Sequence, residues 1–380
     1  MIYKSFKDLS LSALGFGTMR LPILDGDLGK IDGEQTEKMI AYAMESGINY
    51  YDTAYGYHNG NSEAVTGRLL KNYPRESFYL ADKFPGYDLS NMDKVEEIFE
   101  TQLERCGVDY FDFYMFHNVC ELNIAEYLNE AHGIHKYLTA QRDAGRIRHL
   151  GFSAHGGLDV MKRFLDAYSG DLEFGMIQLN YLDYSLQDAK AKMQLLKELG
   201  IPVWGMEPLR GGKLAALSGP HEKTLGALRP GESAPAWAFR FLQSLGEVKV
   251  TLSGMSTLEQ VQENIRTYET DAPLNETEMK TLLGIADEIL RQATVPCTAC
   301  NYCIEYCPQG LNIPHLLALY NEHSFTGGGF LAPMALGALA RDKRPKNCTA
   351  CGSCEAVCPQ QIKISDAMAD FVAKLSPKKA

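Results

Sequence analysis

Along residues 11–256 short apolar runs alternate with longer stretches in which apolar positions recur every three or four residues. These short β-type runs fall at residues 11–18, 49–54, 78–83, 111–117, 149–154, 176–181, 203–209 and 251–256. Their length and composition predict buried strands. The stretches between them predict amphipathic helices, several of which close on glycine: EQTEKMIAYAMESG at Gly47, VEEIFETQLERCG at Gly107 and DAKAKMQLLKELG at Gly200. A glycine just past a periodic apolar pattern marks a helix end, because it takes the left-handed conformation at no steric cost. Strand–helix units in series call for parallel strands covered by helices, and eight such strands close naturally into a barrel. The competing architecture, an open doubly wound sheet, carries a GxGxxG turn after its first strand, and this chain has none there. The expected fold is therefore α/β, a (β/α)8 TIM barrel. From about Asp271 the rhythm stops, and a helical NETEMKTLLGIADEILRQ leads into a different composition.

That change is one of cysteine content. Of the ten cysteines, Cys297, Cys300, Cys303 and Cys307 form a C-x2-C-x2-C-x3-C-P run ending at Pro308. Cys348, Cys351, Cys354 and Cys358 repeat it, ending at Pro359. In a chain without a secretion signal such crowding points to metal ligation rather than disulfides. The close steps let three thiolates meet one face of a [4Fe-4S] cube, while the fourth cysteine of each run characteristically serves the other cluster. The expected sets are Cys297, Cys300 and Cys303 with Cys358, and Cys348, Cys351 and Cys354 with Cys307. Zinc takes two CxxC pairs or a Cys/His mixture and fits the repeated run poorly; a redox disulfide pair is the other alternative. The long passage between the runs, HSFTGGGFLAPMALGALARDKRPKN, predicts a helical insert rather than the compact bacterial ferredoxin fold. Residues 286–380 are thus expected to form a small, mainly α-helical ferredoxin-like domain with two clusters, after a barrel over residues 1–285. Cys106 and Cys120 stand outside this scheme and are expected to be buried apolar thiols.

At 380 residues the chain has room for one large and one small domain, and 45% hydrophobic with 22% charged residues describes a soluble globular protein. The start MIYKSFKDLS has no apolar run of signal-peptide length, and no window is apolar enough to cross a membrane, so a cytoplasmic protein with no membrane partner is expected. A formal charge of -11 opposes a broad basic surface, and nucleic acid is not an expected partner.

In a barrel the chemistry sits at the C-terminal ends of the strands. There, YYDTAYGY places Asp52 at a tip with Tyr57 in the following loop, FYLADKF brings Lys83, and FDFYMFHN brings His117. Singly, each has a duller explanation: a helix cap, a packed aromatic, a solvated strand end, a satisfied core histidine. Together they have a coherent task. A carbonyl that accepts hydride becomes an alkoxide and needs a proton donor beside its oxygen. Free tyrosine, with a pKa near 10, is a poor acid at neutral pH. A neighbouring ammonium lowers that pKa and a carboxylate fixes the lysine; the histidine can orient the carbonyl.

These residues carry a resemblance to the aldo-keto reductase family, running from about Leu11 to Asn264. The motifs are LGFGTMRLP, NYYDTAYGYHNGNSE, the strand-end Lys83, YMFHN, IRHLGFS, MIQLNY, GMEPLRGGKL and SGMSTLEQVQENI. The resemblance implies Tyr57 as general acid, Lys83 and Asp52 as its tuning pair, and His117 as the residue that positions the carbonyl. It also implies an NAD(P)H site built from strand tips. Ser153 and Gln178 would hold the nicotinamide carboxamide, with Gly17, Thr18 and Met19 lining the ring, near Asp52. Met206, Glu207, Pro208 and Leu209 would flank ring and pyrophosphate. Gly254, Met255 and Ser256 would approach the phosphates, with Glu263 and Asn264 at the adenine. The chain departs from the family pattern at Ala154, where many members have asparagine, and at Met206, where a stacking aromatic is common. Gln260 stands at the usual place of an arginine for the 2′-phosphate, which leaves both NADP(H) and NAD(H) open. The resemblance extends to a bacterial and archaeal subgroup whose barrel carries a C-terminal dicluster ferredoxin segment.

One chemical tension follows. Nicotinamide gives up two electrons together as hydride, whereas a [4Fe-4S] cluster takes one at a time, and a flavin normally performs the conversion. The first reading is a reductase that passes hydride from NAD(P)H to a small-molecule carbonyl substrate, with clusters that are structural or relay electrons. A second is an electron-transfer reductase that binds flavin and exchanges electrons with ferredoxin or another redox protein. A third is a nucleotide-binding redox sensor, against which the retained Tyr57 and Lys83 argue.

Overall fold

The computed structural model describes residues 1–376. The chain divides into two compact units at Thr281 and Leu282, inside the helix Glu276–Ala293 and a few residues before the expected boundary.

In the first unit all eight predicted runs are strands. They are β3 (Leu14–Gly17), β4 (Tyr50–Asp52), β5 (Tyr79–Phe84), β6 (Phe111–Val119), β7 (Ile147–Ala154), β8 (Phe174–Gln178), β9 (Val203–Met206) and β10 (Val248–Gly254). They pair in parallel and close into a barrel in the order β10-β3-β4-β5-β6-β7-β8-β9. The first predicted run does not survive whole. Its beginning belongs to an antiparallel hairpin, β1 (Tyr3–Phe6) with β2 (Leu9–Ser12), and the barrel strand starts only at Leu14. Two side-chain bonds draw the chain out of the ladder there: the Ser12 N–H donates to Asn49 Oδ1 at 2.8 Å and the Ser12 hydroxyl to the Leu14 carbonyl at 2.8 Å. The helices predicted to end at Gly47, Gly107 and Gly200 are Gly33–Glu45, Val95–Cys106 and Ala189–Glu198. Gly107 caps its helix at φ 64°, the left-handed region that favours glycine.

Period-two alternation decides what faces the barrel axis. Tyr50, Ala81, Phe113, Met115, Phe174, Met176, Trp204, Val250 and Leu252 form the interior, with Phe6 of the hairpin packed on Phe113 and Trp204 at ring-centre distances of 5.7 and 5.1 Å. Gly151 keeps the interior closed, since a Cβ there would lie 2.5 Å from the Phe174 ring. Continue each inward row by two residues and the apolar filling gives way to a polar top: Asp52 above Tyr50, Lys83 above Ala81, His117 above Met115 and Gln178 above Met176. The barrel register sets these side by side, with Gly17 opposite Asp52, Asp52 opposite Ala81, and Lys83 opposite Met115.

The second unit is helical, as expected. Between the cysteine runs lie the helices Ile313–Thr326 and Leu331–Ala338, and after them the helix Ile364–Leu375. Their core is small: Leu311, Ile313, Leu316, Leu317, Leu336, Ile362, Ile364, Met368 and Phe371, with Cys303 and Cys354. A core of that size ordinarily needs a metal or disulfide staple. Among the described residues no helix is long and apolar enough to cross a membrane.

Candidate functional site

Lys83 Nζ lies 2.6 Å from Asp52 Oδ1 and donates a second bond to the Thr53 carbonyl at 2.6 Å. Its ammonium sits 5.3 Å from the centre of the Tyr57 ring. The Tyr57 and His117 rings stand edge to face at 6.1 Å. Four side chains from β4, the loop after it, β5 and β6 thus converge at one mouth, as the sequence predicts. His117 Nδ1 is buried without a hydrogen-bond partner among the described residues, and so is Asp52 Oδ2.

The electrostatics depart from expectation in one respect. Burial raises the Tyr57 pKa; the Lys83 ammonium opposes this, but Asp52, Asp82 and Glu207 add to the rise. The direction is therefore up, not down, and the phenol stays protonated. Burial alone would lower the Lys83 pKa, yet Asp52 and Tyr57 carry it upward, so the ammonium keeps its proton. Burial also raises the Asp52 pKa against the pull of Lys83. Burial, with Lys83 and His155, holds His117 well below the ordinary imidazole value, so it is neutral at neutral pH.

Behind Lys83 lies a buried network that the sequence reading passed over. Gln102 Nε2 donates to the Lys83 carbonyl at 3.0 Å, to Asp82 Oδ1 at 2.8 Å and to Glu63 Oε1 at 3.0 Å. The Lys83 N–H donates to Asp82 Oδ1 at 2.8 Å, so both backbone groups of the lysine are gripped. Gln102 breaks the apolar stripe Ile98, Phe99, Leu103, Cys106 of its helix, a signal visible in the sequence. Cys106 and Cys120 are buried as expected. Cys106 is not in purely apolar surroundings, because its thiol lies 3.8 Å from Asp82 Oδ2.

The predicted nucleotide residues divide into two groups. Ser153 Oγ accepts from the Asn118 N–H at 2.8 Å, while Gln178 pairs with His155 Nδ1 at 3.2 Å and donates to Asp183 Oδ2 at 2.8 Å, all at the tips of β7 and β8. His155, two residues past Ser153 and next to Ala154, joins them though no sequence motif marks it. Gly17 pairs with Gly254 across β3 and β10, and Met19 is exposed beside them. The Thr18 hydroxyl is committed to the Asp52 carbonyl at 2.9 Å. Glu207 takes φ 55°, with its carbonyl held by Asn180 at 3.0 Å, and Pro208 and Leu209 follow in the same loop. Ser256 N–H donates to Gln260 Oε1 at 2.8 Å, and Met255 is buried. Glu263 and Asn264 are turned inward: Glu263 accepts from Ser233 at 2.5 Å, and buried Asn264 donates to Ser253 at 3.2 Å. The edge also holds Arg20, which the sequence alone does not pick out. Arg20 lies along Gly254, and its guanidinium reaches within 3.0 Å of where a Gly211 side chain would begin. A dinucleotide fits this edge chemically, because the exposed Arg20 guanidinium suits a phosphate.

In the second unit one cavity is lined by Cys297, Cys300, Cys303 and Cys358, and another by Cys307, Cys348, Cys351 and Cys354. Each brings three cysteines of one run to the fourth of the other. Ala299 and Ala350 take φ 52° and 53°, and Asn301 and Gly352 take 66° and 72°. Left-handed residues between cysteines turn backbone N–H groups toward one concave side, a form suited to an anion; the alanines carry a strain that such a site explains. Among the described residues no group of three or more His, Cys, Asp or Glu could hold a single metal ion. Four thiols around a cavity fit the larger body of a cluster.

The Aldo/keto reductase family model matches residues 13–287, and a 4Fe-4S dicluster domain model matches residues 296–363. The chain is 28% identical over 230 residues to the NADH-specific methylglyoxal reductase of Escherichia coli K12, covering 54% of this chain and 66% of that protein. It is 32% identical over 146 residues to an aldo-keto reductase of Mycolicibacterium smegmatis, covering 38% of this chain and 46% of the relative. The chain thus spans about half to two thirds of the length of these relatives. An aldo-keto reductase from Bacillus halodurans, in its holo form, superposes with a TM-score of 0.61 at 23% identity, over 75% of this chain and 96% of that one, a likeness of fold. The chain belongs to the aldo/keto reductase family of oxidoreductases, and its C-terminal part carries a 4Fe-4S dicluster domain.

Proposed function

We propose that the barrel reduces a small carbonyl compound with a nicotinamide nucleotide, with Tyr57 as proton donor. The observation that carries this is the buried Lys83–Asp52 pair beneath the Tyr57 ring, with neutral His117 across from it. When bound, the nicotinamide supplies the hydride. The chain's own groups do the rest: His117 orients the carbonyl oxygen, and Tyr57 gives its proton to the oxygen as charge builds there. An alkoxide is more basic than phenolate, so a phenol with a raised pKa still transfers its proton. The Lys83 ammonium, held by Asp52, then stabilises the phenolate left behind. Ser153 and Gln178 would hold the carboxamide, and Arg20 would meet a phosphate. The relative named for NADH and methylglyoxal, with Gln260 in place of an arginine, makes NADH and a small oxoaldehyde the first pair to test.

We assign residues 286–380 as the cluster-bearing domain, with the two cysteine sets that line the two cavities each holding one [4Fe-4S] cluster. Such clusters, with Cys106 and Cys120 left as buried free thiols in the barrel, suit the cytoplasm. The paired cavities also favour a second reading, in which the clusters exchange electrons with ferredoxin or through a flavin. The test uses anaerobically purified, iron-replete protein. Tyr57→Phe is expected to lower oxoaldehyde-dependent NADH oxidation by about 10²–10⁴-fold, the usual weight of a positioned general acid. Unchanged turnover in that variant would end the reductase reading. Ferredoxin reoxidation that persists while carbonyl reduction is absent would support the second.

A further inference from the structure

The two cysteine segments are copies of one motif. CPQGLNI at residues 307–313 answers CPQQIKI at residues 358–364, and CTAC occurs before both. The copies fold alike: Gly310 and Gln361 share φ values of 58° and 51°, and Leu311, Ile362, Ile313 and Ile364 are all buried. Each residue around one cavity can therefore be compared with its counterpart around the other.

The comparison shows where the copies differ. In the cavity of Cys307, Cys348, Cys351 and Cys354, the Leu311 N–H donates to Cys307 Sγ at 3.4 Å. Ser353 Oγ lies 3.5 Å from Cys351 Sγ as acceptor of the free thiol's proton. Once that sulfur is a cluster ligand it can only accept, and the hydroxyl turns to donate. In the other copy Tyr302, exposed to solvent, stands where Ser353 does.

Each cavity has a lysine nearby, and each lysine has acidic neighbours. Lys343 Nζ donates to the Gln309 carbonyl at 2.8 Å, with Asp342 Oδ2 3.8 Å away, and Gln309 lines the second cavity itself. Lys343 belongs to RDKRPK, the basic run just before Cys348, in a chain whose net charge is -11. The cation near the first cavity, Lys363, shares its cleft with Asp366 and Asp370. Hydrogen bonds to cluster sulfurs and nearby cations both stabilise the reduced, more negative state, which raises a cluster's reduction potential.

We propose that the cluster held by Cys348, Cys351, Cys354 and Cys307 has the higher potential of the two, so that an electron entering this domain comes to rest there. One electron leaves the first cluster, which is reoxidised, and reduces the second; no proton need move. The proposal rests on the two-cluster reading above. The test is an anaerobic redox titration of the full chain followed by EPR, after iron and sulfide assay, on the wild type, Ser353→Ala, Ser353→Thr and Lys343→Gln. The wild type is expected to show two separate one-electron waves. Ser353→Ala and Lys343→Gln each shift the higher wave to lower potential and leave the lower in place, while Ser353→Thr, which keeps the hydroxyl, leaves both in place. A shift of the lower wave, an equal shift of both, or no shift in iron-replete variants overturns the ordering. An iron content short of two clusters overturns the two-cluster reading and the ordering with it.

Discussion

Lys83 Nζ lies 2.6 Å from Asp52 Oδ1, and each side chain is only 1% exposed. Breaking such a pair strands a charge in the interior, at a cost of about 3–5 kcal/mol, whereas replacing both partners with apolar groups can be nearly neutral. Asp52→Leu or Lys83→Met alone is therefore expected to destabilise the barrel strongly in denaturant unfolding. The double variant should recover most of the loss without recovering carbonyl reduction. Recovery of both would mean that the pair has no part in proton donation.

The pH dependence of reduction follows from the two groups beside the carbonyl. Tyr57 must be protonated, and its pKa lies above the ordinary value of about 10 because burial outweighs Lys83. His117 is neutral down through the ordinary imidazole value, held there by burial and Lys83. The reduction rate should be flat from about pH 6.5 to about pH 10, while the reverse oxidation, which needs phenolate, rises with pH across that range. A basic limb of reduction near neutrality would contradict the protonated phenol.

Arg20 gives a binding prediction. A charge-assisted bond to a phosphate is worth about 1.5–3 kcal/mol, so Arg20→Gln is expected to raise KM for the dinucleotide by about tenfold or more and to leave kcat in place. Steady-state kinetics at saturating carbonyl check this, and a fall in kcat at constant KM would remove Arg20 from the nucleotide site.

His155 predicts a stability effect. Burial first, and Lys192 second, hold its pKa at about 4, below the ordinary 6.5. Between those values the unfolded chain binds the proton and the folded chain does not. The contribution of neutral His155 is thus fully present above about 6.5 and is lost as pH falls toward 4. Unfolding midpoints measured across that window should fall less steeply for His155→Gln than for the wild type; equal slopes would show that His155 protonates freely in the fold.

Much of this was legible because barrels and clusters repeat. Eight apolar runs gave eight strands, and the inward rows that begin with Tyr50, Ala81, Met115 and Met176 end in the polar residues picked out by their position at the tips. Cysteine spacing brought out both cavity linings, crossing included. What stayed hidden was tertiary. The split at Ala13 depends on Asn49, far along the chain. The Tyr57 shift depends on how deeply it is buried, which spacing does not reveal. Gln102 and Glu63 read as polar helix residues until the packing of Ser62–Leu70 on Val95–Cys106 turns them inward, and Arg20 gains its place only when β10 closes on β3.

The central claim is that Tyr57, backed by Lys83, protonates a carbonyl as hydride arrives. Its most direct test is anaerobic single-turnover oxidation of stoichiometric NADH by methylglyoxal, in iron-replete wild type, Tyr57→Phe and the double variant Asp52→Leu/Lys83→Met, with matching cluster spectra. The account predicts a fast phase in the wild type that slows by about 10²-fold or more in both variants. A fast phase of equal rate in all three would contradict it.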